Sequence, residues 1–435
     1  MPFVRMRDLG GYHNTTCLDT TRDAVSPATI ETMRLKIFEP GCILFPRSGS
    51  VALNHRAILG VRACIVSHIG ILRQFHKDID VRWLYWFLVR YDMSVIAKQT
   101  TGLDLVGFSD IKKISIPIAP LPEQRRIVGE IEKQFSRLEE GVEALKRVQA
   151  NLRRYRAAVL KAACEGRLVP TEAERQRSKG RGTRGGGKYE TGEELLARIL
   201  AERRKNWQGR GKYKEPAAPD TSKLGKLPEG WAWATVEQLA DIGSGNTPAK
   251  ISDHLLPTGP IPWFKVGDMN RQGNEQVMST AESYMSLKSA EALGLRIFPA
   301  GSIVFPKRGG AIATNKKRQL EAPSTTDLNV MALMPHREIN GYFKKWFASI
   351  DLASLSDGSN VPQVNNKDIQ PLPVPLPPLA EQSRIVAEVE RRLSVVEEME
   401  ATVEANLQRA TRLRQSILQK AFTGGFEDEI ATQHE

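Results

Sequence analysis

The 435-residue sequence has few cysteines and no long apolar run. Its four cysteines show no CxxC spacing, so reduced thiols in a cytoplasm are expected rather than a disulfide framework. No stretch approaches the roughly 18 consecutive apolar residues of a membrane span. The opening residues, MPFVRMRDLGGYHN, lack the apolar core of a signal peptide. We therefore expect a cytoplasmic protein without a membrane partner.

The sequence also lacks the motifs that carry most enzyme chemistry. It has no GxGxxG opening a βαβ unit, no GxSxG and no HExxH, and its seven histidines have no metal-ligand spacing. The segment GTRGGGK (182–188) has the glycine and lysine spacing of a phosphate-binding loop. However, Tyr189 stands where a serine or threonine must hold magnesium, and no apolar strand precedes the segment. We expect no catalytic residue, no metal and no cofactor.

Positive charge is in excess. The formal net charge is +12 and the pI is about 9.5, which favours a polyanionic partner. Residues 169–226 hold 15 Lys and Arg against 8 Asp and Glu, a net charge of +7. Glycines at 177–190 predict a mobile linker, and Thr191 with Glu194 predicts a capping box that opens a helix at 191–207. A merely basic protein therefore stays an alternative.

Two heptad patterns dominate the chain. Apolar residues recur every seven positions within 123–166, and the same pattern begins again at Glu381. One such pattern can be a helix packed on its own domain, whereas two in matching register favour an antiparallel helix pair. The predicted seam of that pair consists of Ile131, Leu138, Leu145, Leu152, Val159, Val389, Val396, Val403, Ala410 and Ile417.

The two patterns belong to an internal repeat. The matching stretches are MPFVRMRDL (1–9) with IPWFKVGDM (261–269), FEPGCILFPRSG (38–49) with FPAGSIVFPKRG (298–309), and 110–128 with 368–386. The chain is therefore two copies of one module, a globular unit followed by a long helix. The 34 residues of 227–260 have no counterpart in the first copy, so we expect that copy to lack an opening strand and its glycine-rich turn.

The globular units are predicted to be mixed α/β. CILFP (42–46) and ISIPIA (114–119) have the pattern of strands, and VRWLYWFLVRYDM (81–93) that of a helix. The predicted fold class is α/β, with two α/β domains separated by a pair of long antiparallel coiled-coil helices in a pseudo-twofold repeat. The predicted segments are a domain at 1–120, a helix at 121–168, a basic linker at 169–226, a domain at 227–379, a helix at 380–426 and a tail at 427–435.

Polar and basic loops occupy corresponding places in the two copies. Arg, Lys, Asn and Gln can read base edges, and Lys and Arg also neutralise phosphates. Ordinary surface loops remain the alternative, and Arg5 and Lys265, each three residues before an aspartate, could be structural residues at strand ends. The candidate DNA-binding residues are Arg5, Arg47, Ser48, Asn54, His55, Arg56, Lys265, Lys307, Arg308, Asn315, Lys316, Lys317, Arg318, Asn360, Gln363 and Asn365.

Several repeated stretches carry a family resemblance. PLPEQRRIV and PLAEQSRIV introduce the long helices, and VLKAACEGRL ends the first of them. LPEGWAWATVEQLADIGSGNTP opens the second globular unit, and NVPQVNNKDIQPLPVPLPPLAEQ closes it. With these motifs the chain resembles, over nearly its whole length, the specificity subunit of type I restriction–modification systems (HsdS).

The resemblance implies two target recognition domains, spaced by the helix pair, that read a bipartite and asymmetric DNA site. It implies a non-catalytic subunit whose partners are double-stranded DNA, modification (DNA adenine methyltransferase) subunits and restriction/translocase subunits. Two alternatives stay open. One is a DNA-binding specificity chain of another restriction–methylation system, and the other is a coiled-coil interaction protein without sequence specificity.

Overall fold

The structure, a computed structural model, describes residues 1–12, 16–100, 103–180, 189–207, 211–358 and 360–423. Two compact units are present, one formed by Met1–Gln149 with Ala401–Glu435 and the other by Ala150–Glu400. Both long helices contribute to each unit. Most of the predicted glycine-rich loop at 177–190, including the segment GTRGGGK, lies outside the described residues.

The first unit is built from short strands and a few helices. Its strands are β1 (Pro2–Val4), β2 (Cys17–Leu18), β3 (Asp23–Ala24), β4 (Ile37–Phe38), β5 (Ile43–Pro46), β6 (Ala57–Leu59), β7 (Ala63–Ile65), β8 (Ile69–Leu72), β9 (Lys98–Thr100) and β10 (Leu103–Leu105). Its helices are α1 (Met6–Tyr12), α2 (Pro27–Thr32), α3 (Val81–Arg90), α4 (Phe108–Ile111) and the start of α5 (Leu121–Cys164).

The second unit repeats this pattern with additions. Its helices are α6 (Glu172–Gly180), α7 (Gly192–Lys205), α8 (Val236–Leu239), α9 (Leu287–Ala292), α10 (Asn340–Ala348), α11 (Asn366–Ile369) and the start of α12 (Leu379–Ala421). Its strands are β11 (Ala232–Thr235), β12 (Ala240–Ser244), β13 (Ile261–Phe264), β14 (Val277–Met278), β15 (Ser283–Met285), β16 (Ile303–Pro306), β17 (Arg318–Leu320), β18 (Thr325–Thr326), β19 (Val330–Pro335) and β20 (Pro373–Leu376).

The sheets of the two units share one topology. In the first unit the strand orders are β2-β6-β5-β8 and β3-β1-β7-β4, and in the second they are β14-β17-β16-β19 and β15-β13-β18. The registers agree as well, because Ile43 pairs with Leu72 while Ile303 pairs with Leu333. The second unit adds β12 beside β19 and a separate β11–β20 pair. The internal repeat inferred from sequence is therefore confirmed in three dimensions.

One predicted strand is wrong. The structure describes 114–119 and gives these residues no strand pairing. Their counterpart in the second unit, β20, pairs with β11 in antiparallel register. Strand β11 lies in 227–260, a stretch that has no counterpart among the described residues of the first unit. A strand needs a partner for its backbone groups, and the described first unit offers none at this position.

Other local predictions are confirmed. Strand β5 occupies the predicted 42–46 stretch, and α3 occupies most of 81–93. Helix α7 begins with the predicted capping box, because Thr191 accepts a hydrogen bond from the Glu194 amide and Glu194 accepts one from the Thr191 amide. No described helix is both long and apolar enough for a membrane crossing.

The repeated Glu-Gln pair fixes the start of each long helix. Gln124 in α5 and Gln382 in α12 are buried, and each donates a 2.8 Å hydrogen bond to a carbonyl five residues earlier. In the second unit, Glu381 also accepts hydrogen bonds from the Trp231 indole (3.0 Å) and the Glu172 amide (2.8 Å). These bonds tie α12 to the segment that precedes β11.

The long helices are part of the core of each unit. In the first, Trp86 meets Phe135 of α5 edge to face at 5.0 Å, and Trp83 packs on Phe422, just after α12, at 4.5 Å. In the second, Val159 of α5 and Val389 of α12 belong to the same buried cluster. The helix pair is therefore inseparable from the globular packing.

The seam positions face inward along both helices. Arg414 pairs with Glu139 within the first unit, and Arg156 pairs with Glu400 and Glu397 within the second, so the helices run antiparallel. The fully buried seam residues are Ile131, Leu152, Val159, Val389, Val396, Val403 and Ile417. The half-buried ones are Leu138, Leu145 and Ala410. The predicted fold class, α/β units with a pair of long antiparallel helices in an internal repeat, is confirmed.

Candidate nucleic-acid interface

The polar loop after β16 is held against a second loop near the end of the unit. The Val364 amide donates to the carbonyl of Lys307 (2.9 Å), and the Gly309 amide donates to the carbonyl of Pro362 (2.8 Å). Arg308 and Gln363 form an isolated antiparallel bridge. Two stretches that are far apart in sequence thus present their side chains together.

The side chains at this place form a polar cluster, which we call the β16 cluster: Ser244, Lys307, Arg308, Gln363 and Asn365. The Lys307 ammonium donates to the Ser244 hydroxyl (3.1 Å), and the Gln363 amide donates to the Asn365 carbonyl oxygen (2.7 Å). Desolvation, followed by the charge of Arg308, lowers the pKa of Lys307. Arg308 itself is exposed. The cluster offers donors and acceptors of the kinds that read base edges.

Ser244 was not among the predicted residues. It is the last residue of β12, and the backbone at this point requires the glycine that follows it, Gly245. A Cβ on Gly245 would come within 2.2 Å of the Asp327 carbonyl oxygen, so only glycine fits. The two glycines that flank Ser244 are the sequence signal by which this turn could have been found.

The first unit has the same backbone arrangement after β5, with different side chains. The Val106 amide donates to the carbonyl of Arg47 (2.9 Å), as Val364 does to Lys307. The Ser48 hydroxyl is 2.7 Å from Nδ1 of His68, and the Arg47 guanidinium lies 4.6 Å from the centre of the Phe108 ring. We call Arg47, Ser48, His68 and Phe108 the β5 cluster. His68 and Phe108 were not predicted, because only the fold brings them beside β5.

Two predicted asparagines are structural. Asn54 and Asn315 both have left-handed backbone conformations, with φ of 51° and 52°. The side-chain oxygen of Asn315 accepts from the Lys317 ammonium (2.8 Å) and from the Leu352 amide (3.0 Å). The oxygen of Asn54 accepts from Arg56 and from the Met93 amide in the same way. Each asparagine therefore joins a cation two residues later to a backbone amide that lies far along the chain.

The cations in these two networks are poorly placed to contact DNA. Arg56 is fully buried, and desolvation lowers its pKa to about 10. Lys317 is half-buried, donates also to the Ile350 carbonyl (2.6 Å), and has its pKa lowered to about 8 by desolvation. The Arg56 side chain is enclosed by the protein, and the Lys317 ammonium is bonded to Asn315 and to Ile350. The prediction that Arg56 lies on a binding surface is wrong, and Lys317 is occupied by internal contacts.

Arg5 and Lys265 directly follow the equivalent strands β1 and β13. The backbone amide of each donates a 2.8 Å hydrogen bond to the aspartate three residues later, Asp8 or Asp268. Arg5 also pairs with Asp23 at 2.8 Å, and the Lys265 ammonium pairs with a glutamate at 3.1 Å. The structural role that the sequence left open is therefore present at both positions.

The remaining predicted residues lie apart from the two clusters. His55 is half-buried, with its pKa lowered by desolvation and then by Arg56. Lys316 bonds to the side chain of Asn270, and Asn360 is exposed. Arg318 lies on β17 and lines a cavity beside the long helices. Among the described residues, no group of His, Cys, Asp and Glu is placed to hold a metal ion.

Comparisons with known proteins agree with this architecture. Residues 228–407 match the family model of the type I restriction modification DNA specificity domain. The chain is 26% identical over 357 residues to the EcoDI specificity subunit of Escherichia coli, covering 80% of this chain and 70% of that protein. It is 25% identical over 160 residues to the EcoR124I/EcoR124II specificity subunit of E. coli, covering 35% and 39% of the two chains.

The fold has a solved counterpart. A chain from a structure of complex assembly and conformational transition of the type I R-M system superimposes with a TM-score of 0.60. The match covers 89% of this chain and 83% of that one at 21% identity. The family model and the curated relatives confirm the resemblance to type I specificity subunits that the repeated motifs indicate, and the solved structure shows that the fold is shared.

Proposed function

We propose that this chain is the DNA-recognition subunit of a type I restriction–modification complex. Residues 1–120 and 227–379 act as the two recognition domains, each reading one half of a bipartite site. The chain itself performs no bond chemistry. It docks modification subunits, which methylate adenine, and restriction/translocase subunits. Support comes from the relatives, which are named as specificity subunits of type I restriction enzymes.

The observation that carries the proposal is one backbone arrangement bearing two sets of side chains. The β5 and β16 clusters share their main-chain bonds, yet Arg47 and Ser48 stand where the second unit has Lys307 and Arg308. A constant scaffold holds the readout groups in place, while different side chains select different bases. Two such clusters suit an asymmetric site with two different half-sites.

The helix pair supplies the spacing in this proposal. Helix α5 has 44 residues and, at a rise of about 1.5 Å per residue, is about 66 Å long. Half-sites about one turn of DNA apart, about 34 Å, present their grooves on the same side of the duplex. A stiff helix pair then defines the number of unread base pairs between the half-sites.

Substitutions in the two clusters test the proposal. In complex with its modification subunits, Arg308→Ala should relax the base preference within one half-site, and Arg47→Ala within the other. Each should cost about 1–3 kcal/mol of discrimination. The measurement is selection of bound sequences from a random duplex library. Lys288→Ala, at an exposed position on α9, is the control and should leave the selected motif unchanged.

A uniform effect would contradict the proposal. If both variants weaken binding equally for all sequences, and wild-type binding shows only a steep dependence on salt, the contacts are made to phosphates alone. The chain would then be an interaction protein without sequence specificity.

A further inference from the structure

A cavity in the second unit is lined by positive charge. It has a volume of about 420 Å³ and lies among α5, α10, α12 and β17. The cations that line it are Arg156, Lys317, Arg318, Lys344 and Lys345. The carboxylates that line it are Glu390 and Glu397. The cavity does not include any residue of the β16 cluster.

The two carboxylates form salt bridges with only two of the five cations. Lys345 pairs with Glu390 at 3.0 Å, and Arg156 pairs with Glu397 at 3.6 Å. The other three cations are Lys317, Arg318 and Lys344, and no carboxylate of the described chain lies within salt-bridge distance of them. We call these three residues the unpaired wall of the cavity, because Asp351, Glu275 and Glu390 act on Lys317, Arg318 and Lys344 only from beyond ion-pair distance.

The hydrogen bonds of this wall are incomplete. The Lys344 ammonium donates to the Gln319 side chain (3.0 Å), and one Arg318 amino group donates to the Lys317 carbonyl (3.1 Å). The Arg318 Nε is buried and has no hydrogen-bond partner among the described residues. Desolvation lowers the pKa values of Arg318 and Lys344, and for Lys344 the neighbouring Lys345 adds to the effect. A buried donor without a partner is costly, and an anion would supply the acceptor.

The fold does not require these cations. The first unit has a cavity of about 320 Å³ in the equivalent place, lined by Trp86 and Phe135 among others. By the alignment of α3 with α10, Tyr85 and Trp86 stand where the second unit has Lys344 and Lys345. The first cavity is therefore lined by one cation, Arg82, and two carboxylates, whereas the second is lined by five cations and two carboxylates.

Strand β6 of the first unit also lacks the cation found at the matching position of β17. It begins with Ala57 where β17 begins with Arg318, because Leu44 pairs with Ala57 and Val304 pairs with Arg318. Arg318 and Lys344 therefore have no cationic counterpart in the first unit, whereas Lys317 corresponds to Arg56. The shared feature of the three cations in the second unit is that they line one cavity.

We propose that this cavity binds the phosphate group of an anionic ligand. The Arg318 guanidinium, with its unpaired Nε, and the Lys344 ammonium supply the charge and the donors that a phosphate group requires, and Lys317 adds positive charge to the same cavity. The proposal is separate from base reading by the β16 cluster. The phosphate belongs either to a small free anion or to the backbone of bound DNA, and both sources present the same chemistry.

Isothermal titration of the full-length chain with sodium pyrophosphate tests the site. We expect saturable binding by the wild type and at least tenfold weaker binding by Lys344→Gln and by Arg318→Ala, the latter installing the residue of the first unit. Lys288→Gln removes an exposed positive charge elsewhere in the same unit and should bind as the wild type does. Thermal melting of each variant without pyrophosphate verifies folding.

Competition with a DNA duplex identifies the source of the phosphate. If the duplex displaces pyrophosphate, the site holds a backbone phosphate, and if both bind together, the site holds a small free anion. The proposal is overturned if the wild type shows no saturable binding, or if Lys344→Gln and Lys288→Gln lose affinity equally.

Discussion

At the scale of single residues, the two units share an uncommon device. Asn54 and Asn315 each take a left-handed conformation and accept hydrogen bonds from a cation two residues later and from the backbone of a distant turn. Left-handed conformations are open to asparagine at low cost, and its side chain is short enough to reach the local backbone. Both units therefore depend on asparagine here for conformation and for bonding.

Substitution of Asn315 separates these two contributions. Asn315→Gly keeps the left-handed backbone accessible but removes the acceptor, and should lower the free energy of unfolding by about 1–3 kcal/mol. Asn315→Ala adds the conformational cost of about 1–2 kcal/mol. Urea unfolding of the two variants and of the wild type measures both terms. Equal stability of the glycine and alanine variants would contradict the conformational part.

Lys317 should make stability depend on pH. Its pKa in the folded protein, about 8, lies below its ordinary value of 10.5 because of desolvation, while Asp351 acts in the opposite direction. Between these pH values the unfolded chain binds more protons, so the folded state gains stability as pH rises. The gain is at most about 3 kcal/mol.

The matched variant is Lys317→Met, which has no titrating group at this position. In chloride buffer, the unfolding free energy of the wild type minus that of Lys317→Met should increase as the pH rises from 8 to 10.5. Titrations common to both proteins cancel in this difference. A flat difference across the range would show that Lys317 titrates as an exposed lysine does.

At the scale of secondary-structure elements, sequence patterns predicted the long helices, α3, α7 and β5. Heptad repeats and capping residues depend on residues close in sequence, so the elements that they predict are present in the fold. The strand at 114–119 failed because pairing is not local, and the described residues of the first unit include no counterpart of β11. Arg56 failed for a related reason. The sequence around Arg56 resembles a surface loop, and only the fold shows that the Arg56 side chain is buried.

The helix pair yields a prediction about the DNA site. Removing one heptad from each helix at facing positions, 142–148 and 405–411, keeps the seam in register and shortens the pair by about 10 Å. The spacer between half-sites should shorten by about three base pairs while both half-site sequences stay the same. Methylation motifs of the altered complex report the change. An unchanged spacer would show that the helices do not set it.

At the scale of the whole molecule, two copies of one module have diverged in different ways. The second unit carries β11 and β12, and Ser244 at the end of β12 belongs to the β16 cluster. The first unit has no such strands among its described residues and uses His68 beside Ser48 instead. The two clusters therefore differ both in their side chains and in the structural elements that supply those side chains. Such divergence is what an asymmetric bipartite site requires.

The most direct measurement is methylation mapping of host DNA when this chain is co-expressed with its cognate modification subunit. Our account predicts a split adenine motif with two different half-sites and a fixed spacer. Methylation at one contiguous motif, or at adenines with no common sequence around them, would contradict it.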